Sequence, residues 1–173
     1  MINLRSATLS DYIAIAKLHA DNWRLAYRGT MSDNFLNDEV DNERLSTWYK
    51  RLKIPNRHQF VTVANLGNSI VGFCCLLINE DSIFGSYIDS LHVSANLRKS
   101  GIGKMMISHS AKIICEKADS KKLYLWVYES NKNARLVYER LGAINYETIE
   151  KSNGDGTISK TCRYVWDDIT SLI

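Results

Sequence analysis

The chain has 173 residues, of which 45% are hydrophobic and 24% are charged, a balance typical of a folded protein and unlike that of a disordered one. Its length suits a single domain, residues 1–173, whose core needs no disulfide or metal to be stable. The net charge of +3 is too small to indicate a nucleic-acid-binding protein.

Two features of the sequence predict a cytoplasmic protein. The first residues lack a signal peptide, and the longest apolar run, Ile70–Ile78, is too short to cross a membrane. The four cysteines show no spacing typical of a metal site, and the neighbours Cys74 and Cys75 should point to opposite faces of a strand. We therefore expect four free and mostly buried thiols, no metal and no membrane contact.

The first half of the chain predicts one strand, two helical regions and three strands. Ile2–Ala7 alternates as a strand, and Ser10 or Asp11 can cap a helix that Gly29 ends. A second helical region covers about residues 32–53, with a break near residue 38. Three strand-like runs separated by turn residues follow: Phe60–Ala64, Ile70–Ile78 and Tyr87–Val93.

The second half predicts alternating helices and strands. After Gly101 the apolar residues recur with a helical period over a wide arc, which predicts a largely buried helix. A strand, a helix and two strands follow: Lys122–Tyr128, Asn131–Leu141, Ile144–Ile149 and Ile158–Trp166. This order predicts an α/β (α+β) domain with a central and mostly antiparallel sheet.

The segment Leu97–Lys104 lies between a predicted strand and the buried helix. It does not match the dinucleotide fingerprint, because Met106 replaces the third glycine, and it lacks two residues of the Walker A loop. The remaining pattern, Arg98-x-x-Gly101-x-Gly103, still favours phosphate, because free N–H groups at a helix start bind anions. An ordinary turn with solvated basic residues is the alternative.

A second pattern covers Val127–Gly142, where a strand ends in polar residues and a helix carries Tyr138 on its apolar side. Taken alone, Tyr138 is a core residue whose hydroxyl reaches a partner. Together, and about 30 residues apart, the two patterns resemble those of the GNAT superfamily of acetyl-CoA-dependent N-acetyltransferases. The residues that match the two family motifs are Arg98, Gly101 and Gly103 in the first and Asn131, Ala134, Tyr138 and Gly142 in the second. The stretch Leu18–Gly29 resembles a bacterial subset of uncharacterised members.

The resemblance implies a sheet of about seven strands with about four helices, in which the fourth and fifth strands splay apart. It implies that the pyrophosphate of acetyl-CoA binds the loop before the buried helix and that the pantetheine arm pairs with the fourth strand. The cofactor-binding residues expected from this are Leu91, His92, Val93, Arg98, Lys99, Ser100, Gly101, Ile102, Gly103, Lys104 and Asn131.

The implied reaction is direct acetyl transfer from a thioester to an amine, which needs a base, an oxyanion site and a proton for the sulfur. Tyr138 matches the general acid of the family. Several relatives carry a base at the position of Tyr87, and Asp89, two residues on and on the same face, can act through a water. A structural role for Asp89 is the alternative. His92 should point to the opposite face, and His19 should be a core histidine.

The resemblance implies that the first two helices cover the acceptor side. Trp23 and Tyr27 are four residues apart and share a helix face, so we expect them to contact the acceptor, since aromatic rings attract ammonium groups. Burial of Trp23 in the core is the alternative. We interpret the acidic residues of segment 33–43 as a solvated helix face.

Two further questions stay open on the sequence. The chain can be an enzyme, as retention of Tyr138 favours, or a non-catalytic module that binds acyl-CoA. Many relatives are dimers, so a homodimer is possible, and the residues do not identify the acceptor.

Overall fold

The computed structural model describes residues 1–173 and contains four α-helices and seven strands. The helices are α1 (Tyr12–Ala26), α2 (Val40–Lys53), α3 (Ile102–Lys117) and α4 (Lys132–Arg140). The strands are β1 (Ile2–Ser6), β2 (Gln59–Leu66), β3 (Ser69–Asp81), β4 (Gly85–Val93), β5 (Leu123–Tyr128), β6 (Ile144–Ser152) and β7 (Ile158–Trp166). This order of elements is the one that the hydrophobic pattern predicts.

All seven strands belong to one sheet, in the order β1-β2-β3-β4-β5-β7-β6. Every neighbouring pair is antiparallel except β4 and β5. This parallel pair is short, because Ser86–Ile88 pair with Leu123–Leu125 and the pairing then stops. The two strands separate beyond Ile88, which confirms the predicted splay between the fourth and fifth strands.

The first half of the sheet is covered by helices on both faces. Met106 of α3 belongs to the largest core cluster, and Trp48 of α2 belongs to a second cluster on the opposite face. Cys74 and Cys75 are neighbours on β3 and fall into these two clusters, so they point to opposite faces as predicted. All four cysteines are free, and Cys115 is the exposed one.

The structure offers neither a helix suited to crossing a membrane nor a cluster of metal-binding side chains. None of the helices combines the length and the apolar character that a membrane crossing requires. No group of three or more His, Cys, Asp or Glu side chains is arranged so that it could hold a metal ion.

The predicted break before the second helix is a single π-helical turn, Phe35–Glu39, that leads into α2. The acidic residues around it are paired with arginines: Asp33 with Arg28, Asp41 with Arg24 and Glu43 with Arg44. These arginines neutralise much of the segment's negative charge, which supports its interpretation as a solvated helix face.

β4 contains a bulge at Asp89. Ile88 pairs with Leu76 and Ser90 pairs with Cys75, so Asp89 is an extra residue on β4. A bulge shifts the alternation of side chains by one residue. His92 therefore packs on His19 of α1, with ring centroids 4.4 Å apart, on the face where Asp89 pairs with Arg51 of α2. The expectation that His92 points away from the face of Asp89 is wrong for this reason.

Asp11 connects the 3-10 turn that precedes α1, Leu9–Asp11, to β1. Its two oxygens accept hydrogen bonds from Arg5 at 2.7 and 2.9 Å, and one of them also accepts the backbone N–H of Thr8 at 2.7 Å. The hydrogen bonds from Arg5 lower the pKa of Asp11 to about 2, below its ordinary value of 3.8. The ionised carboxylate therefore stabilises the folded chain.

We predict that Asp11→Asn lowers the free energy of unfolding at pH 7 by about 1 kcal/mol. Because the folded pKa lies below the unfolded one, the contribution of Asp11 is complete above about pH 4 and is lost as the pH falls towards 2. Urea denaturation at a series of pH values should show a steeper acid loss of stability in the wild type. Parallel curves for the two proteins would contradict this role of Asp11.

Candidate active site

The loop between β4 and α3 presents a row of unbonded backbone N–H groups. Gly101 precedes the first residue of α3 and has φ of +87°, in the left-handed region that favours glycine. The first N–H of this segment to bond within the chain is that of Met105, which donates to the oxygen of Gly101 at 2.9 Å. The N–H groups of residues 99–104 are therefore free, and the positive end of the helix dipole favours an anion there.

Gly103 leaves open space in front of this row. A Cβ atom at Gly103 would meet only the Cγ2 of Val93, at 4.0 Å, and one at Gly101 would meet nothing within 4 Å. The packing of the chain therefore does not require a glycine at position 103. A bound group that approaches the N–H row closely does require one.

Asn22 of α1 holds Arg98 beside the loop. The side chain of Asn22 is buried, its Oδ1 accepts from Nη2 of Arg98 at 2.5 Å, and its Nδ2 donates to the carbonyl oxygen of Val93 at 3.2 Å. One amide thus connects α1, the end of β4 and the loop. Asn22 was not identified from the sequence, because a polar residue within an amphipathic helix carries no signal until its tertiary partners are known.

The main chain of β4 faces the gap at alternate residues. Ser94 donates its N–H to Val71 of β3 at 2.8 Å, so the preceding residue, Val93, directs its main-chain groups away from β3. By the same alternation, Leu91 faces the gap and His92 faces β3. Of the three residues expected to pair with a cofactor arm, only Leu91 and Val93 present their main chain to the gap, and the side chain of His92 packs on His19 and Phe73.

An aromatic wall formed by Trp23, Tyr27 and Tyr128 lies beside the gap between β4 and β5, which we call the cleft. The ring centroids of Trp23 and Tyr27 lie 5.8 Å apart, and the ring of Tyr27 meets that of Tyr128 edge-on at 4.6 Å. Burial, together with the nearby hydroxyls of Tyr128 and Tyr138, raises the pKa of Tyr27, so this phenol is neutral at pH 7. The predicted shared face of Trp23 and Tyr27 is confirmed, and Tyr27 lies close to Tyr138. Tyr128, at the end of β5, was not identified from the sequence.

Tyr138 has its ring in the core and its hydroxyl free. The side chain is 9% exposed and packs against Tyr164 and Trp166, with centroids 6.0 and 6.1 Å away. Its hydroxyl makes no hydrogen bond within the chain, yet it is not among the polar atoms sealed from solvent without a partner. Burial raises the pKa of Tyr138, so the phenol keeps its proton at pH 7 and can donate it.

Asn131 starts the helix that carries Tyr138. Its Oδ1 accepts the backbone N–H of Ala134 at 3.3 Å, a standard cap of α4. This bond accounts for the asparagine of the motif but not for the alanine, because the donor is the backbone N–H of residue 134. The Nδ2 group of Asn131 remains free to donate.

Asp89 is held by two donors on one oxygen. Its Oδ2 accepts from the guanidinium of Arg51 and from the hydroxyl of Ser90, the latter at 2.8 Å, and its Oδ1 has no partner within the chain. Arg51 was not identified from the sequence, since its partner is 38 residues away along the chain. Tyr87, at the position where relatives carry a base, stacks on Tyr124 at 4.8 Å, and burial raises its pKa.

His19 is a core histidine, as expected. Its Nδ1 accepts the indole N–H of Trp48 at 3.0 Å, and its side chain is buried. Burial lowers the pKa of His19 well below 6.5, so the ring is neutral and carries its proton on Nε2.

The sequence of this chain matches a known protein family and a bacterial relative. The family model described as the acetyltransferase (GNAT) family matches residues 15–143. The uncharacterised N-acetyltransferase YuaI of Bacillus subtilis is 24% identical over 99% of this chain and 96% of its own length.

Solved structures show the same fold at lower identity. Arabidopsis thaliana NAA60, in complex with a bisubstrate analogue, has a TM-score of 0.71 and 18% identity, with 96% of this chain and 98% of that chain covered. The PaiA N-acetyltransferase of Thermoplasma acidophilum, in complex with coenzyme A, has a TM-score of 0.69 and 14% identity, with 93% and 98% covered. The YncA protein of Salmonella typhimurium, with acetyl-CoA, has a TM-score of 0.67 and 15% identity, with 96% and 94% covered. Because this family model matches residues 15–143, most of the length of the chain, the chain belongs to the GNAT family of acetyltransferases.

Proposed function

We propose that this acetyltransferase transfers the acetyl group of acetyl-CoA directly to a primary amine of its acceptor. The observation that carries the proposal is one of topology: β4 leads into the free N–H row of residues 99–104, and its parallel neighbour β5 leads into α4, which carries the unbonded hydroxyl of Tyr138. A module that only binds acyl-CoA has no need of a free proton donor, so the free hydroxyl favours an enzyme.

In this proposal the pyrophosphate of acetyl-CoA lies on the N–H row, where Arg98, Lys99 and Lys104 add positive charge. The pantetheine arm extends along the main chain of Leu91 and Val93, and Asn131 contacts the arm. The coenzyme A bound to PaiA and the acetyl-CoA bound to YncA support acetyl-CoA as the cosubstrate. The remaining loop residues, Ser100, Gly101, Ile102 and Gly103, contribute their backbone.

Different residues of the cleft act in different steps of the proposed reaction. The amine nitrogen forms a bond to the acetyl carbon, the bond from that carbon to sulfur breaks, and Tyr138 gives its proton to the sulfur. The proton lost by the amine passes through a water to the free Oδ1 of Asp89, which Arg51 and Ser90 orient. An N–H of β4 that faces the gap holds the oxyanion.

A panel of five amine types tests the function: benzylamine, spermidine, free lysine, an aminoglycoside and a short peptide with a free N-terminus. At least one should cause release of the thiol of coenzyme A and should gain an acetyl group, detected by mass spectrometry. Tight binding of acetyl-CoA with no amine-dependent release would support the binding module instead.

We propose that the protein acts in the cytoplasm, which its four unpaired cysteines support. The homodimer stays a prediction from relatives.

We predict that Gly103→Val weakens binding of coenzyme A by at least about tenfold, since the new side chain fills the space before the N–H row. The fold should persist, because the nearest atom to the added Cβ is 4.0 Å away. Gly154→Val is a matched control, as a Cβ there meets nothing within 4 Å. Calorimetric affinities that are equal for both variants would place the phosphates elsewhere.

We predict that Tyr138→Phe lowers kcat by about 10²- to 10⁴-fold, the usual contribution of a general acid. The ring and its packing are kept, so the Kd of acetyl-CoA should change by less than about twofold. Tyr146→Phe, on an exposed tyrosine, should leave kcat unchanged. If kcat of Tyr138→Phe stays within about twofold of the wild type, Tyr138 is a core residue and no more.

We propose that Trp23 and Tyr27 contact the acceptor. Tyr27→Leu keeps an apolar side chain but removes the aromatic face, so the KM of the acceptor should rise by about 3- to 30-fold, the range of a cation–π contact. The Kd of acetyl-CoA should stay constant. Weaker cofactor binding with an unchanged acceptor KM would instead assign this wall to the cofactor.

A further inference from the structure

The cleft contains one imidazole that the proposed chemistry does not use. His92 is on β4, a central strand that contacts α1 and α3, and yet its side chain is partly exposed. Neither ring nitrogen bonds within the chain, and neither is among the atoms sealed from solvent without a partner. His92 lies four residues beyond Ile88, the last residue of β4 that pairs with β5, so the strand that carries this ring is open on the side of β5.

Packing fixes the orientation of this ring. His92 lies against His19 and Phe73, with centroid distances of 4.4 and 5.2 Å. His19 in turn meets Trp23 edge-on at 4.8 Å. A continuous row of rings thus runs from His92 through His19 and Trp23 to Tyr27. His92 therefore lies at the β4 end of a row that reaches the aromatic wall.

The charges around His92 keep it neutral. The groups that face it are the neutral His19 of α1, Arg44 of α2, Arg98 of the loop and Asp89 of β4. Burial and the two arginines lower the pKa of His92 to about 3, although Asp89 opposes them. A neutral imidazole has one nitrogen that accepts a hydrogen bond, and so weak a base does not keep a proton.

We propose that His92 binds the amino group of the acceptor by accepting a hydrogen bond from its N–H. This bond orients the lone pair of the amine nitrogen towards the thioester carbonyl, and the released proton still leaves through Asp89. His92 is therefore a substrate-positioning residue and takes no proton. The inference rests on the proposed function and adds to it the residue that holds the nucleophile.

The test compares His92→Phe with His92→Gln, using the panel amine that reacts fastest with the wild type. Phenylalanine keeps a ring against His19 and Phe73 but has no acceptor atom, so the acceptor KM should rise by at least about tenfold. Glutamine restores an acceptor, so KM should return to within about threefold of the wild type. The Kd of acetyl-CoA and the Tm should stay near the wild-type values in both variants.

A matched control and a pH profile complete the test. His109→Phe changes a histidine on α3, outside the cleft, and should leave the acceptor KM unchanged. Because His92 is neutral above about pH 4, the profile of kcat/KM between pH 6 and 9 should have the same shape in His92→Gln as in the wild type.

Four outcomes would overturn the proposal. An unchanged acceptor KM in His92→Phe removes the contact. A loss of kcat of about 100-fold in both variants, with a changed pH profile, assigns proton transfer to His92 instead. Weakened acetyl-CoA binding with an unchanged acceptor KM assigns His92 to the binding site of the cofactor. If no panel amine reacts with the wild type, the proposed function fails first and this inference with it. If His92→Phe does not fold, His92→Met replaces it in the comparison.

Discussion

The early end of pairing between β4 and β5 is the constraint on which the site depends. Only three residue pairs join these strands, and beyond Ile88 the main chain of β4 loses its partner on that side. Unpaired main-chain groups inside a sheet are unfavourable unless something else bonds them. An extended ligand that pairs with β4 would satisfy these groups in the proposed reaction. The free N–H row of residues 99–104 follows the end of β4, and α4, which carries Tyr138, follows the end of β5.

Burial and ion pairing leave few uncompensated charges inside the cleft. Tyr27 and Tyr138 keep their protons because burial raises their pKa, and His19 and His92 lose theirs because burial lowers it. The carboxylate of Asp89 is balanced by Arg51. An amine that enters such a pocket also loses its hydration. This loss favours the neutral form of the amine, the only form that can attack a thioester.

Periodicity in the sequence was enough to predict the elements and their order, because each is set by local spacing. It also placed Cys74 and Cys75 on opposite faces of a strand, and Trp23 and Tyr27 on the same face of a helix. The bulge at Asp89 could not be predicted, because a bulge is a relation between two strands and depends on the register of β3. The orientation of His92 was wrong for this reason, and Asn22 and Arg51 were missed because their partners are distant in sequence.

The amide of Asn22 has a consequence for the order in which ligands bind. It is buried, and removing the donor from its Oδ1 would cost about 1–3 kcal/mol. Arg98 has five N–H groups, so it can keep Asn22 with one and turn the others to a phosphate. In the proposed reaction, an anion bound on the loop would therefore also restrain the helix that carries Trp23 and Tyr27, and the acceptor would meet a more ordered surface after acetyl-CoA than before it.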